Sequence, residues 1–80
     1  MSSFYQREGE PQNGDCADHN IYYYDPYDKC THSRNERVTL VGKIDVHDNY
    51  GETFWLVEKE DNSLIIVRES DLFSIGYYGD

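Results

Sequence analysis

Two cysteines and two of the three histidines of this 80-residue chain fall within seventeen residues, as Cys16-x2-His19 and Cys30-x-His32. Zinc takes four soft or borderline ligands in a tetrahedron, and two cysteines with two histidines are one of its standard sets. The first pair has the usual spacing of a zinc knuckle, whereas the second pair is closer together. These residues predict one structural zinc ion that leaves no open position for catalysis. A disulfide between Cys16 and Cys30, or no shared role, is the alternative.

The chain contains none of the common catalytic motifs. It has no glycine-rich phosphate loop, no dinucleotide fingerprint, no nucleophile elbow and no His-Glu-x-x-His segment. Ser70 precedes Asp71, but no histidine is placed by the sequence to activate its hydroxyl. His47 lies between Asp45 and Asp48 in a predicted turn, where a solvated histidine is the common case. We therefore expect a protein that is not an enzyme.

Acidic side chains dominate the charge of the chain. Sixteen Asp and Glu residues against seven Lys and Arg residues give a net charge of −9. Residues 1–36 contribute −4 (seven acids, three bases) and residues 37–80 contribute −5 (nine acids, four bases), so the acidity is not confined to a tail. Such a field repels nucleic acid and anionic membranes and attracts basic protein surfaces. The alternative is an acidic rim that serves only solubility.

Many of these acids crowd two predicted hairpin turns, and a tyrosine accompanies them. Carboxylates placed at strand spacing can imitate the phosphates of a nucleic acid, and neither turn has the twelve-residue pattern of an EF-hand calcium loop. Tyrosine suits protein interfaces because its ring is large, rigid and amphipathic. We therefore predict that one group of residues contacts a basic partner. The group is Asp45, Asp48, Tyr50, Glu52, Glu58, Glu60 and Asp61.

The second half of the chain has the pattern of antiparallel strands. From Arg37 to Val46, apolar and polar residues alternate, which is typical of a half-buried strand. Gly42 within it marks a position where a bulge is common. Two further strands are predicted over residues 53–59 and 64–68, separated by turns rich in Asp, Asn and Gly. A single 3₁₀ turn is expected within residues 69–75, which are too few for a stable α-helix.

The first half of the chain, residues 1–36, is rich in Asp, Asn, Gly and Tyr and is predicted to be an irregular arm. Its strand candidate is the aromatic segment from Ile21 to Tyr24, which ends before Pro26 because proline lacks an N–H. In residues 37–80, apolar residues of one parity on each strand predict a single interior. Trp55 faces the side opposite to Phe54 and is assigned to the core, with an exposed anchor as the alternative. The other predicted core residues are Leu40, Ile44, Phe54, Leu56, Ile66 and Leu72.

Three apolar segments of the second half carry a resemblance to a known fold. Residues 37–75 contain V-x-L-V-G-K-I, a turn, F-W-L-V-E, a turn, and L-I-I-V-x-E-S-D-L. This pattern resembles small SH3-like barrels and the small SH3-like proteins encoded by bacteriophages and prophages. The resemblance implies a mainly β chain: a small SH3-like antiparallel barrel of three to five strands over residues 37–80, preceded by the irregular arm over residues 1–36. It implies no activity, because a fold does not fix a function.

The acidity, the tyrosines and this resemblance together predict a binding protein. We expect a phage-encoded inhibitor that occupies the basic nucleic-acid-binding groove of a host defence or nucleic-acid-processing protein, as a DNA mimic or an anti-CRISPR protein does. An SH3-like adaptor without mimicry is the first alternative, and a small zinc-binding domain is the second. The chain shows no signal peptide and no apolar run of about 20 residues, so we expect a cytoplasmic protein without direct contact to membrane or nucleic acid.

Overall fold

The computed structural model of the protein describes residues 3–44 and 51–79, and these residues are mainly β. A single 3₁₀ turn, Glu69–Asp71, begins where the sequence predicts one. Among the described residues, no helix is long and apolar enough to cross a membrane. The strands are β1 Ser3–Gln6, β2 Cys16–Asp25, β3 Cys30–Ile44, β4 Phe54–Lys59, β5 Leu64–Arg68 and β6 Leu72–Gly79.

The six strands form one antiparallel sheet in the order β1-β6-β2-β3-β4-β5. The mainly β class predicted from the sequence is therefore confirmed. The sheet has six strands rather than three to five, and the pairings of the described residues leave β1 and β5 as its two edges. In this part of the chain the sheet is not closed into a barrel.

The N-terminal arm that was expected to be irregular differs most from the prediction. It contains β1, β2 and the first part of β3, and the boundary expected at Arg37 falls inside β3. β2 and β3 pair without interruption from Cys16 opposite Thr39 to Asp25 opposite Cys30. Over most of this length both faces of the strand pair carry polar or tyrosine side chains, so the apolar alternation that reveals a half-buried strand is missing.

One face of the sheet forms the core. A flat single sheet would leave both faces open to water, yet Trp55 is only 2% exposed. Leu72 of β6 and Val67 of β5 belong to the same buried cluster although four places separate their strands in the sheet order, so the sheet curves around the core. The buried apolar residues are Ala17, Val38, Leu40, Trp55, Val57, Val67 and Leu72.

On β4 and β5, the structure buries the alternate residues to those predicted from the sequence. Leu40, Leu72 and Trp55 are buried as expected, but four other predicted core residues are not. The register of β3 against β4 shifts between Leu40 and Gly42, which is a β-bulge. The extra residue reverses the faces of the β3 side chains that follow it, so Ile44 leaves the core face and lies opposite Phe54, whereas Val57 lies opposite Leu40 and shares its buried face. The displaced residues are Ile44, Phe54 and Leu56, which are half-buried, and Ile66, which is exposed.

The outer parts of β2 and β3 project beyond the rest of the sheet as a two-stranded ribbon. β2 pairs with β6 only over residues 16–19, and β3 pairs with β4 only over residues 38–44. Within the described residues, 20–25 and 30–35 therefore pair with each other alone; we call them the β2–β3 ribbon. Four tyrosines of this region are exposed: Tyr22, Tyr23, Tyr24 and Tyr27.

A buried ion pair fixes the segment between β1 and β2. The Asp15 side chain is buried, and the Arg7 guanidinium donates to both of its carboxylate oxygens, at 2.8 and 2.9 Å. The backbone N–H of Gln12 donates a third hydrogen bond to this carboxylate, at 2.9 Å. The bond from Arg7 lowers the pKa of Asp15, although burial acts in the opposite direction. Gly14 and Asp15 also exchange backbone hydrogen bonds with Leu40, both at 2.7 Å.

Candidate functional site

Of the seven residues predicted to contact a partner, four lie among the residues that the structure describes. Asp45, Asp48 and Tyr50 lie outside the described residues. Glu52 lies just before β4, is half-buried, and accepts a hydrogen bond from the Ser70 hydroxyl at 2.7 Å. Its carboxylate therefore contributes to local structure.

The other three predicted carboxylates meet at the β4–β5 turn. Glu58 is exposed near the end of β4, and Glu60 and Asp61 are exposed in the turn. Asp61 accepts hydrogen bonds from the backbone N–H and the hydroxyl of Ser63, at 3.0 and 2.5 Å. These bonds lower the pKa of Asp61 and orient its carboxylate within the turn. Glu58 and Glu60 are therefore the two carboxylates here that are best placed to reach a partner.

An apolar strip lies beside these carboxylates, on the side of β3, β4 and β5 that faces away from the core. We call this side the outer face. Leu56 is directly opposite Ile66 across β4 and β5, and Glu58 is opposite Leu64. Leu64 is 55% exposed and Ile66 is 63% exposed, while Val41 at the bulge is also exposed. The sequence did not reveal this strip because the prediction assigned Leu56 and Ile66 to the core.

The outer face ends at a free strand edge. The backbone N–H of Lys59 donates to the carbonyl of Ser63, and that of Glu69 donates to the carbonyl of Thr53, both at 2.8 Å. Hydrogen-bonded pairs alternate along an antiparallel ladder, so the peptide groups of Leu64 and Ile66 point away from β4. In the part of the chain that the structure describes, no strand pairs with this edge.

The four predicted zinc ligands are not brought together. Cys16 is opposite Thr39, whereas Cys30 lies nine residues earlier on β3, which places it about 30 Å away at about 3.3 Å per residue. His19 is three residues from Cys16 on the same strand and therefore faces the opposite side of the sheet. A disulfide requires Cα atoms within about 7 Å, so the two cysteines cannot form one here, and both are free.

Cys30 and His32 instead meet two aspartates at the tip of the β2–β3 ribbon. Nε2 of His32 lies 3.3 Å from Sγ of Cys30, 3.4 Å from Oδ2 of Asp28 and 3.8 Å from Oδ2 of Asp25. The ligand atoms of Asp28, Cys30 and His32 all lie within 4.8 Å of one another. We call these four residues the ribbon-tip cluster. Sequence reasoning missed both aspartates, although their position around the turn that precedes Cys30 was visible.

Comparison of the chain with protein-family models, with curated proteins and with solved structures finds no match. No activity, ligand or partner is therefore transferred from a relative. Two surfaces of the described residues are candidates for function: the outer face with its free edge, and the ribbon tip.

Proposed function

We propose that this protein binds a basic protein partner through the outer face and the edge of β5, and that it inhibits a nucleic-acid-binding protein by doing so. The observation that carries the proposal is the exposed apolar strip of Leu64 and Ile66 beside the exposed carboxylates of Glu58 and Glu60. Protein interfaces commonly combine an apolar centre with a polar rim, and exposed apolar patches mark such sites.

The free edge of β5 supplies a binding mode. An extended segment of the partner can add a strand to an exposed sheet edge, with backbone hydrogen bonds giving affinity and alternate side chains giving specificity. The outward peptide groups of Leu64 and Ile66 would form these hydrogen bonds. Their side chains would pack against apolar residues of the added strand on the outer face. Residues 64–68 are thus the proposed docking strand.

The carboxylates of Glu58 and Glu60 would form the rim that selects a basic partner. The net charge of −9 attracts such a partner over a distance, and salt weakens this attraction because the Debye length is only about 8–10 Å near physiological ionic strength. Complementary charge mainly accelerates association and excludes wrong partners. A nuclease or a host-defence effector presents a basic groove of the required kind, because it must bind phosphates.

The resemblance to phage SH3-like proteins supports a target in the cytoplasm of a bacterial host. We propose that β2–β6 are an open variant of the SH3-like arrangement, since β2, β3, β4 and β5 follow one another in the sheet and β6 returns to β2 after the 3₁₀ turn. An adaptor that uses the same outer face without displacing nucleic acid is the second candidate. It is favoured by the apolar strip, which a pure phosphate mimic does not need.

The test compares two charge reversals of equal size. A partner is captured from bacterial lysate, identified by mass spectrometry, and titrated with the wild type, with Glu58→Lys/Glu60→Lys and with Glu8→Lys/Glu10→Lys. All four positions are exposed, but Glu8 and Glu10 follow β1 at the opposite edge of the sheet. We expect the first pair to weaken binding about tenfold to a hundredfold, mostly through slower association, and the second pair to change it less than about threefold.

Competition with nucleic acid then separates the two candidate functions. An inhibitor of the proposed kind displaces the nucleic acid of its partner, whereas an adaptor leaves it bound. Equal affinities for the wild type and both charge-reversal variants would show that neither carboxylate pair takes part, and the outer face would lose its role. Retained binding by an Ile66→Ser variant would exclude the apolar strip in the same way.

A further inference from the structure

We propose that the ribbon-tip cluster of Asp25, Asp28, Cys30 and His32 binds one zinc ion. This site differs from the Cys16, His19, Cys30, His32 set expected from the sequence, and it is separate from the outer face. The proposal therefore does not depend on the proposed function.

Strand geometry explains why Cys-x-His spacing suits a metal here. Residues two apart on a strand point to the same face, so Cys30 and His32 lie side by side on β3. Asp25 is directly opposite Cys30 on β2 and shares that face, and Asp28 reaches the cluster from the turn. The same rule places Cys16 and His19, three apart on one strand, on opposite faces.

The distances match the edges of a zinc tetrahedron. Zinc bonds of about 2.0–2.3 Å at tetrahedral angles place neighbouring ligand atoms about 3.3–3.8 Å apart. The separations from Nε2 of His32 to Sγ of Cys30, Oδ2 of Asp28 and Oδ2 of Asp25 are 3.3, 3.4 and 3.8 Å. The ligand atoms of Asp28, Cys30 and His32 thus already lie close enough to share one ion, and Asp25, which is near His32, would complete the set of four.

One of the four ligands is oriented by the turn itself. Oδ1 of Asp25 accepts hydrogen bonds from the backbone N–H groups of Tyr27 and Asp28, at 2.9 and 3.4 Å. These bonds hold the carboxylate so that Oδ2 is directed to the cluster. The ring of Tyr23 packs beside the His32 imidazole, with 5.7 Å between their centroids. Outer contacts of this kind set the direction of metal ligands.

The donor set selects zinc over the alkaline-earth cations. A thiolate and an imidazole are soft and borderline donors, which magnesium and calcium do not favour, whereas mixed sulfur, nitrogen and oxygen ligation is common for zinc. Binding replaces the S–H bond of Cys30 by a zinc–sulfur bond and releases one proton to water, and His32 binds as the neutral imidazole.

A metal would stabilise the β2–β3 ribbon, which contributes no residue to the buried core. Isolated two-stranded hairpins are marginal in water, and residues 20–25 and 30–35 pair only with each other among the described residues. An ion at the tip would join β2, the turn and β3. It would thereby hold the exposed side chains of Tyr22 and Tyr24 in fixed positions.

Cobalt and zinc titrations of the purified full chain, kept reduced, test the site. Cobalt should give the visible absorption of a tetrahedral ion with a thiolate charge-transfer band, at one ion per chain, and zinc should displace it. Cys30→Ser and His32→Ala should each weaken binding by about a hundredfold or more, since even outer contacts of a metal site contribute tenfold to a hundredfold. Cys16→Ser and His19→Ala are matched controls and should change affinity less than about twofold.

A second measurement uses the wild type alone and does not depend on the folding of a variant. Cys30 is exposed and Cys16 is half-buried, so mass spectrometry can follow the alkylation of each thiol separately. Zinc should slow alkylation of Cys30 at least about tenfold and leave the rate at Cys16 unchanged. The proposal is overturned if zinc protects neither thiol or both alike, if no tetrahedral cobalt spectrum appears, or if the Cys16→Ser control loses as much affinity as Cys30→Ser.

Discussion

Replacing Asp15 by Asn should destabilise the protein far more than the same change at Asp18. Both aspartates accept hydrogen bonds from an arginine, but their surroundings differ. The side chain of Asp15 is 2% exposed beside Arg7, whereas that of Asp18 is 32% exposed beside Arg37, whose Nη1 lies 3.2 Å from its Oδ1. The substitution is the same at both positions, while Asp15 is the more buried and accepts more hydrogen bonds, two from Arg7 and one from the Gln12 backbone.

The magnitudes follow from that difference in burial. Breaking a buried ion pair commonly costs about 3–5 kcal/mol, because one charge stays buried without its partner, whereas an exposed pair contributes about 0–1 kcal/mol. We expect Asp15→Asn to lower the free energy of unfolding by about 3 kcal/mol, because Arg7 is 21% exposed and its guanidinium can regain contacts with water. Arg7→Met should cost more than Asp15→Asn, because it leaves the buried carboxylate of Asp15 without its partner. A domain of this size has about 4–12 kcal/mol in total.

Urea unfolding, followed by circular dichroism and by the fluorescence of the buried Trp55, measures these free energies. We expect the urea concentration at the unfolding midpoint to fall most for Arg7→Met, less for Asp15→Asn and least for Asp18→Asn. The dependence of the unfolding free energy on urea concentration should be the same in all variants. The double variant Arg7→Met/Asp15→Asn should lose less stability than the two single losses added together. Each single change leaves one charged group without its partner, whereas the double variant has neither charge. Losses that agree within about 0.5 kcal/mol at Asp15 and Asp18 would refute the argument from burial.

Three further predictions concern the core, the β1 edge and pH. Val57→Ala should cost about 2–3 kcal/mol and lower the melting temperature by about 8–24 °C, while Val41→Ala on the outer face should cost less than about 0.5 kcal/mol; calorimetry distinguishes these values. Gly76→Ala should displace β1, because a Cβ there would overlap the carbonyl oxygen of Tyr5; faster amide exchange in β1 would report this, and unchanged exchange would contradict it. The pKa of Asp15 is lowered by folding, so its contribution to stability is present above the unfolded value of about 3.9 and is lost as pH falls through the folded pKa. The difference in unfolding free energy between the wild type and Asp15→Asn should therefore shrink as pH falls below about 3.9; urea titrations at several pH values measure it, and a constant difference would contradict the reasoning.

The sequence by itself determined that the second half of the chain is antiparallel β structure. Alternation from Arg37 onward, turns rich in Asp, Asn and Gly, and the short segment before Leu72 indicated strands and a 3₁₀ turn that the structure contains. Gly42 also marked the position of the bulge. These features are local, because they follow from the preferences of neighbouring residues for particular backbone angles and for one buried face.

Which face is buried was decided only by the tertiary structure. β4 and β5 are apolar on both sides, so composition could not choose between Trp55 with Val57 and Phe54 with Leu56. The register of β4 against β3, which places Val57 opposite the buried Leu40, made that choice, and the bulge in β3 moved Ile44 to the other face. The same holds for the ribbon tip. Cys30 and His32 are near in sequence to Cys16 and His19, but the long pairing of β2 with β3 separates the two pairs and brings the turn aspartates in instead. Register between strands depends on contacts far apart in the chain, and for that reason residue spacing could suggest the ligand types but could not select which residues meet.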